Sequence, residues 1–184
     1  MVKTARKANA PLSLVEATVE FNDTRKRQMA KKIIAALGGK VAGKTVAALG
    51  LTFKPNTDDM RDSPSLVILP ELVQHGVKVH AHDPVGMAEA RKLMPDLNYF
   101  DDAYDAITGA DALVILTEWN SYRALDLGRV KSLLRSPNIV DMRNIYRPDE
   151  MAQLGYSYTS LGRPPTVPEQ APMAAYDLRE AAAG

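Results

Sequence analysis

The sequence predicts an α/β fold in which a parallel sheet carries helices on both faces and a long helix precedes the sheet. From residue 44 onward, short apolar runs typical of strands buried on both faces alternate with helical segments. The 184 residues, 46% of them hydrophobic, are enough for one domain with its own core. The chain has no cysteine, so neither a disulfide framework nor a thiolate metal site is expected to stabilise it.

The long helix is expected from Pro11 to Leu37. Proline is favoured in a first helical turn, and the pair Gly38-Gly39 ends the pattern. With the polar segment before it, this helix makes an N-terminal unit, residues 1–39. Its run 25–27, Arg-Lys-Arg, is most simply a solvated face. The helix could cap the domain, connect it to another domain, or pair with a second chain.

The first strand is expected in the almost continuous apolar run Thr45–Phe53. A helix then begins at Ser63-Pro64, because serine caps helices and proline suits the first turn, and it extends to Gln74. The remaining elements repeat this alternation. Further strands are predicted at 77–82, 98–100, 112–116, 138–141 and 156–161, and helices at 87–93, 101–108, 126–134 and 148–154.

Such a repeat predicts a Rossmann-like three-layer domain over residues 40–163, with a parallel sheet and right-handed crossovers. The segment 164–184 is rich in proline and alanine, and we expect it to be a disordered tail.

Composition excludes several classes of function. A net charge of +1 removes the strongest reason to expect a nucleic-acid partner. Near the N-terminus, Pro11, Ser13 and Glu16 interrupt any apolar run, so neither a signal peptide nor a membrane span is expected and the chain is predicted to be cytoplasmic. His80 and His82 have no carboxylate at metal-ligand spacing, and we expect no metal site. There is no nucleophile elbow or Ser-His-Asp pattern.

The loops after the strands are where a ligand is expected, because open parallel sheets bind ligands at the carboxyl ends of their strands. The loop after the first strand lacks Gly-x-Gly-x-x-Gly, so its backbone is not built to cradle a pyrophosphate. Instead Lys54 and Arg61 can meet phosphates through their side chains. An alternative of equal weight is a charged surface loop in which Arg61 pairs with an aspartate.

The later loops add further candidates, each with a structural alternative. Asp83 stands where an acidic residue often contacts a ribose, but Asp-Pro is also common in turns. Trp119 is more simply a packing residue than a ligand contact. Arg143 is placed for a phosphate or a sugar, and its alternative is an ion pair with Asp141 or Glu118.

Several of these segments together resemble one family. The segment 50–64, GLTFKPNTDDMRDSP, closely resembles the loop that opens the C-terminal domain of UDP-glucose 6-dehydrogenases and the related GDP-mannose and UDP-N-acetylmannosamine dehydrogenases. Segments 81–84, 110–119 and 140–144 agree in order and spacing. The helix around residues 20–23 resembles the end of the family's central helix, and the likeness spans residues 11–163. The sequence of residues 53–59 resembles the UDP-glucose branch of the family more than the GDP-mannose or UDP-N-acetylmannosamine branches.

The resemblance implies a division of labour. Complete members have an N-terminal NAD-binding domain, a central helix used for dimerisation and a C-terminal domain for the UDP-sugar. They oxidise UDP-glucose to UDP-glucuronate in two NAD-dependent steps through a thiohemiacetal and a thioester on a cysteine. Phe53 and Lys54 match the family's aromatic and lysine in the sugar-nucleotide pocket, Arg143 an arginine that contacts the substrate, and Arg61 an arginine that reaches NAD.

This chain departs from the family pattern in lacking the glycine-rich fingerprint, the catalytic cysteine and its setting, and the N-terminal acid/base residues. We therefore expect it to bind UDP-glucose or a related nucleotide sugar, to hold only part of an NAD site, and to have no catalytic residue and no activity alone. Expected partners are a second copy through the helix 11–37 and a separate chain with the NAD domain. The open alternatives are a non-catalytic nucleotide-binding or assembly module, and the same domain acting on GDP-mannose or a UDP-N-acetylhexosamine.

Overall fold

A computed structural model of the chain describes residues 12–168. Strands β1 to β6 span Thr45–Leu49, Lys78–His82, Asn98–Tyr99, Ala112–Ile115, Asn138–Asp141 and Ser157–Ser160. Helices α1 to α7 span Ser13–Ala36, Ser65–Gln74, Met87–Leu93, Ala103–Ile107, Asn120–Arg123, Leu127–Leu133 and Pro148–Gln153.

The strands form one parallel six-stranded sheet in the order β3-β2-β1-β4-β5-β6. The predicted fold class, an α/β parallel sheet preceded by a long helix, is confirmed. The strand order reverses between β1 and β4, and ligands in such sheets bind at the carboxyl ends on either side of that reversal. The loops after β1, β4 and β5 are therefore the segments to examine.

The core lies on both faces of the sheet. Every residue of β1 and of β4 is buried, as expected of central strands in a three-layer fold. Because side chains alternate along a strand, Val46 and Ala48 belong to one apolar cluster and Ala47 and Leu49 to the other. The first cluster contains residues of α1 and α2, and the second contains residues of α4, α6 and α7.

Helix α1 rests on the sheet domain with its C-terminal half only. Ala30 and Ile33 are buried there, and α1 contacts α2 and β5. The Nζ amine of Lys32 donates to the carbonyl of Ser160 at 2.5 Å, which ties the helix to the end of β6. Its N-terminal half is largely exposed, including Leu14 and Phe21. Within residues 12–168, no helix is both long and apolar enough to cross a membrane.

The first strand is shorter than predicted. Strand β1 ends at Leu49, because Gly50 takes φ 90° and turns the chain out of the ladder. A β-carbon at Gly50 would lie 2.5 Å from Cβ of Thr117, so only glycine fits this crossing. The short helix α5 was not predicted. The proline inside α2, Pro70, does not interrupt that helix.

At the chain ends, only part of the sequence-based expectation can be compared with the structure. Residues 164–168 of the predicted tail follow β6, and Thr166 forms an antiparallel bridge with Tyr158. The rest of that tail, 169–184, and residues 1–11 lie outside the described residues.

Candidate functional site

A cavity of about 590 Å³ lies between α1 and the loops at the carboxyl ends of the strands. That volume falls within the usual range for small-molecule sites. Its lining mixes apolar and charged side chains contributed by α1, α2 and the segments that follow β1, β4, β5 and β6. The lining residues are Val19, Asn22, Asp23, Arg25, Lys26, Met29, Phe53, Asp62, Pro64, Ile68, Leu116, Met142, Arg143 and Leu161.

Phe53 reaches the cavity from the loop after β1. Its backbone N–H donates to the carbonyl of Asp59 at 2.9 Å, which closes this loop on itself. The residue is 49% exposed and its side chain lines the cavity, so an apolar ring is left half uncovered there. The neighbouring Lys54 is exposed and does not line the cavity. Its ammonium makes no hydrogen bond or ion pair with any residue that the structure describes.

Arg143 reaches the same cavity from the loop after β5. Asp141, the last residue of that strand, is fully buried and its Oδ1 accepts the N–H of Arg143 at 2.8 Å. Asn144 follows with φ 56°, and its side chain exchanges hydrogen bonds of 3.0 and 2.9 Å with the backbone of Leu161. The loop is thus held on both sides of Arg143.

The Arg143 side chain forms a two-pronged ion pair with Glu118, from the loop after β4. Its Nη2 donates to Oε1 at 2.7 Å and its Nε donates to Oε2. This hydrogen bonding is the main cause that lowers the pKa of the Glu118 carboxyl. Of the two ion pairs considered for Arg143 from the sequence, the structure contains the one with Glu118.

Arg61 lies apart from the cavity. Its side chain is 88% exposed and pairs with Asp59, with Nε to Oδ1 at 3.0 Å and Nη2 to Oδ2 at 2.8 Å. This pair lowers the pKa of Asp59 to about 2. Arg61 borders a separate, more open depression of about 700 Å³ together with Glu89 and Lys92 of α3. The structure therefore brings Phe53 and Arg143 to one cavity and leaves Arg61 outside it.

The Asp83 carboxylate is buried and bonded to protein groups, so its role is to hold the loops together rather than to bind a ribose. This carboxylate accepts hydrogen bonds from the loop after β1, from its own turn and from an indole N–H, at 2.7 to 3.3 Å. The donors are the backbone amides of Leu51, Thr52, Val85 and Gly86, the hydroxyl of Thr52 and Nε1 of Trp119. Trp119 itself is only 7% exposed, which confirms its predicted packing role.

The charged face of α1 was missed as part of this site. Its residues Asn22, Arg25, Lys26 and Met29 all line the cavity, although the sequence suggested a solvated face for the basic run. Their spacing places them on one side of a helix, which is the signal that could have identified them. Lys26 also lies 3.6 Å from Oδ1 of Asp23, a loose pair that leaves its ammonium available at the rim.

Among the residues that the structure describes, no three His, Cys, Asp or Glu side chains lie close enough together to hold a metal ion. The loop after β1 likewise contains no glycine between Gly50 and Ser63. A nucleotide in this cavity would therefore be held by side chains rather than by a glycine-rich backbone cradle.

Comparison with known proteins gives a consistent result. Residues 47–148 match the UDP binding domain of the UDP-glucose/GDP-mannose dehydrogenase family. The chain is 54% identical over 164 residues to UDP-glucose 6-dehydrogenase of Rhizobium meliloti (strain 1021), covering 89% of this chain and 38% of that protein. It is 39% identical over 165 residues to UDP-glucose 6-dehydrogenase TuaD of Bacillus subtilis (strain 168), covering 89% of this chain and 36% of that protein.

Among solved structures, the fold is similar to a UDP-glucose dehydrogenase from the hyperthermophilic archaeon Pyrobaculum islandicum. The TM-score is 0.67 at 27% identity, over 81% of this chain and 33% of that one. The chain thus spans little more than a third of the relatives that it matches.

Proposed function

The chain belongs to the UDP-glucose/GDP-mannose dehydrogenase family, and on that premise we propose that its cavity binds the nucleotide sugar of a UDP-glucose 6-dehydrogenase. One observation supports this above the others. A half-exposed aromatic ring, Phe53, and an anchored guanidinium, Arg143, line one cavity at the carboxyl ends of a parallel sheet. A flat base or sugar ring can pack on the aromatic side chain, and a guanidinium suits phosphate or sugar oxygens.

The cations around Arg143 favour a diphosphate. Arg25 and Lys26, both on α1, line the same cavity as Arg143. Lys54 is proposed as a further contact to the nucleotide sugar. It follows Phe53 in the loop, and its ammonium makes no hydrogen bond or ion pair with a described residue. A nucleoside diphosphate brings negative charges that such side chains can meet in charge-assisted hydrogen bonds.

In the complete reaction we propose that UDP-glucose is oxidised to UDP-glucuronate with NAD. Bound NAD would supply the hydride acceptor. The chain contains no cysteine, so we assign no catalytic residue to it and give it the task of holding the substrate. Arg61 is proposed to contact NAD that is bound mainly elsewhere, which is supported by its exposure and by its distance from the cavity. The loop after β1 has no glycine between Gly50 and Ser63, so it offers no glycine-rich cradle for a dinucleotide.

Calorimetric titration of the chain with UDP-glucose tests the proposal. We expect measurable binding, weakened about tenfold or more in Arg143→Ala, because a charge-assisted pair with phosphate is lost. Arg135→Ala is the matched control. Nη1 of Arg135 lies 3.3 Å from Oδ2 of Asp111, and this ion pair is at the opposite end of the sheet from the cavity. Folded chain that binds no UDP-sugar would refute the proposal and favour the assembly module.

Titration with UDP and GDP in competition tests which nucleotide is preferred. We expect UDP to displace UDP-glucose and GDP to displace it weakly. Equal or stronger displacement by GDP would assign the domain to the GDP-mannose branch instead.

A second copy of the chain is proposed as a partner through α1. The support is the exposed apolar side chains of its N-terminal half, where Leu14 is 83% and Phe21 64% exposed. Light scattering across a concentration series should detect a dimer that Phe21→Glu dissociates. A monomer at every concentration would contradict this pairing.

A further inference from the structure

We propose that Glu118 is a positioning residue for substrate binding, because it holds the Arg143 guanidinium in the orientation that presents its free edge to the ligand. The inference rests on the proposed function of the cavity. It concerns a residue that does not itself line the main cavity, although it borders the adjoining groove with Arg143.

The geometry divides the donors of Arg143 into two groups. Glu118 takes one hydrogen from Nε and one from Nη2, which is the fork arrangement of a carboxylate on a guanidinium. Nη1 has no hydrogen-bond partner among residues 12–168. A planar guanidinium held along one edge cannot rotate freely, so its remaining N–H groups keep a fixed direction.

Both members of the pair stand on fixed backbone. The N–H of Arg143 is held by the buried Asp141. Glu118 lies between Thr117, whose buried hydroxyl donates to the carbonyl of Thr52 at 2.7 Å, and the buried Trp119. The side chains of the pair are 35% and 27% exposed, so solvent screens them only in part. Holding a long side chain in one rotamer before the ligand arrives reduces the entropy that binding must overcome.

The surrounding charges make Glu118 the counter-charge of a basic groove. Arg25 from α1 and Arg123 from α5 border the same groove of about 480 Å³ as Glu118 and Arg143. Arg123 also contributes to lowering the pKa of Glu118. Without this carboxylate, the Arg143 guanidinium would share the groove with two other guanidinium groups and no counter-charge. Repulsion between these like charges would favour other rotamers of Arg143.

A double-mutant cycle on UDP-glucose binding tests the inference. Glu118→Gln keeps the shape of the side chain but removes its charge and one acceptor. We expect it to weaken binding about fivefold to tenfold. In the Arg143→Ala background the same substitution should change binding less than twofold, because no guanidinium is left to orient. Equal effects in both backgrounds would mean that Glu118 acts independently of Arg143, and would overturn the inference.

A spectroscopic readout separates positioning from general stability. In the wild type, the Nε–H of Arg143 should give a slowly exchanging, downfield NMR signal. Glu118→Gln should shift that signal upfield and speed its exchange, because the charge-assisted pair is lost, while the melting temperature changes little. Absence of this signal from the wild type would contradict the pairing without any variant. Tighter binding by Glu118→Gln would also overturn the inference, since it would make Glu118 a competitor of the ligand.

Failure of the inference and failure of the proposed function give different results. No binding of UDP-glucose by the wild type refutes the proposed function. Binding that Arg143→Ala weakens and Glu118→Gln leaves unchanged refutes only the role of Glu118.

Discussion

The hydroxyl of Tyr158, in the edge strand β6, donates a hydrogen bond to Oδ2 of Asp141 at the end of β5, 2.8 Å away. The same carboxylate oxygen accepts the N–H of Ile145 at 2.7 Å, and Oδ1 accepts the N–H of Arg143. One buried aspartate thus connects the neighbouring strand to the loop that carries Arg143. The position of this arginine depends on the sheet edge as well as on its own loop.

Tyr158→Phe is expected to destabilise the fold by about 1 kcal/mol, because it removes one buried hydrogen bond and leaves Asp141 with its backbone donors. It should also weaken UDP-glucose binding slightly, through the loosened loop. Urea unfolding and calorimetry measure the two effects. Tyr99→Phe is the control, since it removes a comparable 2.9 Å bond, to Met94, on the far edge strand. If both variants weaken binding equally, Asp141 does not transmit the effect.

Asp83→Ala is expected to destabilise the fold by more than about 3 kcal/mol, because it leaves several buried donors without their shared acceptor. Asp83→Asn should cost less, since its carbonyl oxygen still accepts. Urea unfolding monitored by Trp119 fluorescence is suitable, because Nε1 of that indole is one of the donors, at 3.3 Å. A loss below about 1 kcal/mol in Asp83→Ala would contradict this account of the carboxylate.

Gly50→Ala is expected to be much more damaging than Gly43→Ala. Both glycines have positive φ, 90° and 81°, so both substitutions strain the backbone by about 1–2 kcal/mol. At Gly50 the added Cβ also meets backbone of Thr117 at 2.6 Å, whereas nothing lies within 4 Å at Gly43. Thermal unfolding should therefore give Gly50→Ala a much lower melting temperature than Gly43→Ala. Equal melting temperatures would mean that the β1–β4 crossing tolerates a side chain.

The fold is expected to lose stability above pH 10. Burial raises the pKa of Tyr122, Tyr146 and Tyr158, with nearby aspartate charge adding to the effect. A folded-state pKa above the unfolded value means that the stabilisation is complete below about pH 10 and is lost as the pH rises further. Absorbance at 295 nm and circular dichroism should change together for these residues. Full ionisation of all tyrosines in a chain that stays folded would contradict the prediction.

Arg61→Ala is expected to leave UDP-glucose binding unchanged within about twofold, because its pair with Asp59 is exposed and lies outside the cavity. The pKa of Asp59 should rise from about 2 toward its ordinary value, since the hydrogen bond from Arg61 is the main cause of its depression. Calorimetry and an NMR pH titration of the Asp59 carboxyl measure these outcomes. A large loss of UDP-glucose binding would place Arg61 in the substrate site.

Much of the fold could be predicted because buried parallel strands have a clear apolar pattern. The bounds of α3 and β5 were predicted as observed. The end of β1 was wrong for a physical reason. Leu51 is fully buried although it lies outside the ladder, so apolarity continues where strand pairing stops. Periodicity reports burial, and it does not report hydrogen bonding.

The site was less predictable because its contacts join distant segments. The pairing of Arg143 with Glu118 rather than Asp141 depends on how the loops after β4 and β5 lie side by side. The basic face of α1 has the same sequence pattern whether it faces water or a cavity, so Arg25 and Lys26 were missed. The Asp83 carboxylate accepts most of its hydrogen bonds from backbone amides, and a backbone donor cannot be recognised from residue types in the sequence.

The central claim is that a UDP-sugar binds between α1 and the carboxyl ends of the strands. NMR titration of the isotopically labelled chain with UDP-glucose tests it most directly, because each backbone amide reports on its own surroundings. The account predicts shifts at Phe53, Arg143 and Lys26, which line one cavity from three segments, while Arg135 stays unperturbed. Shifts confined to the depression around Arg61, or no shifts at saturating ligand, would contradict it.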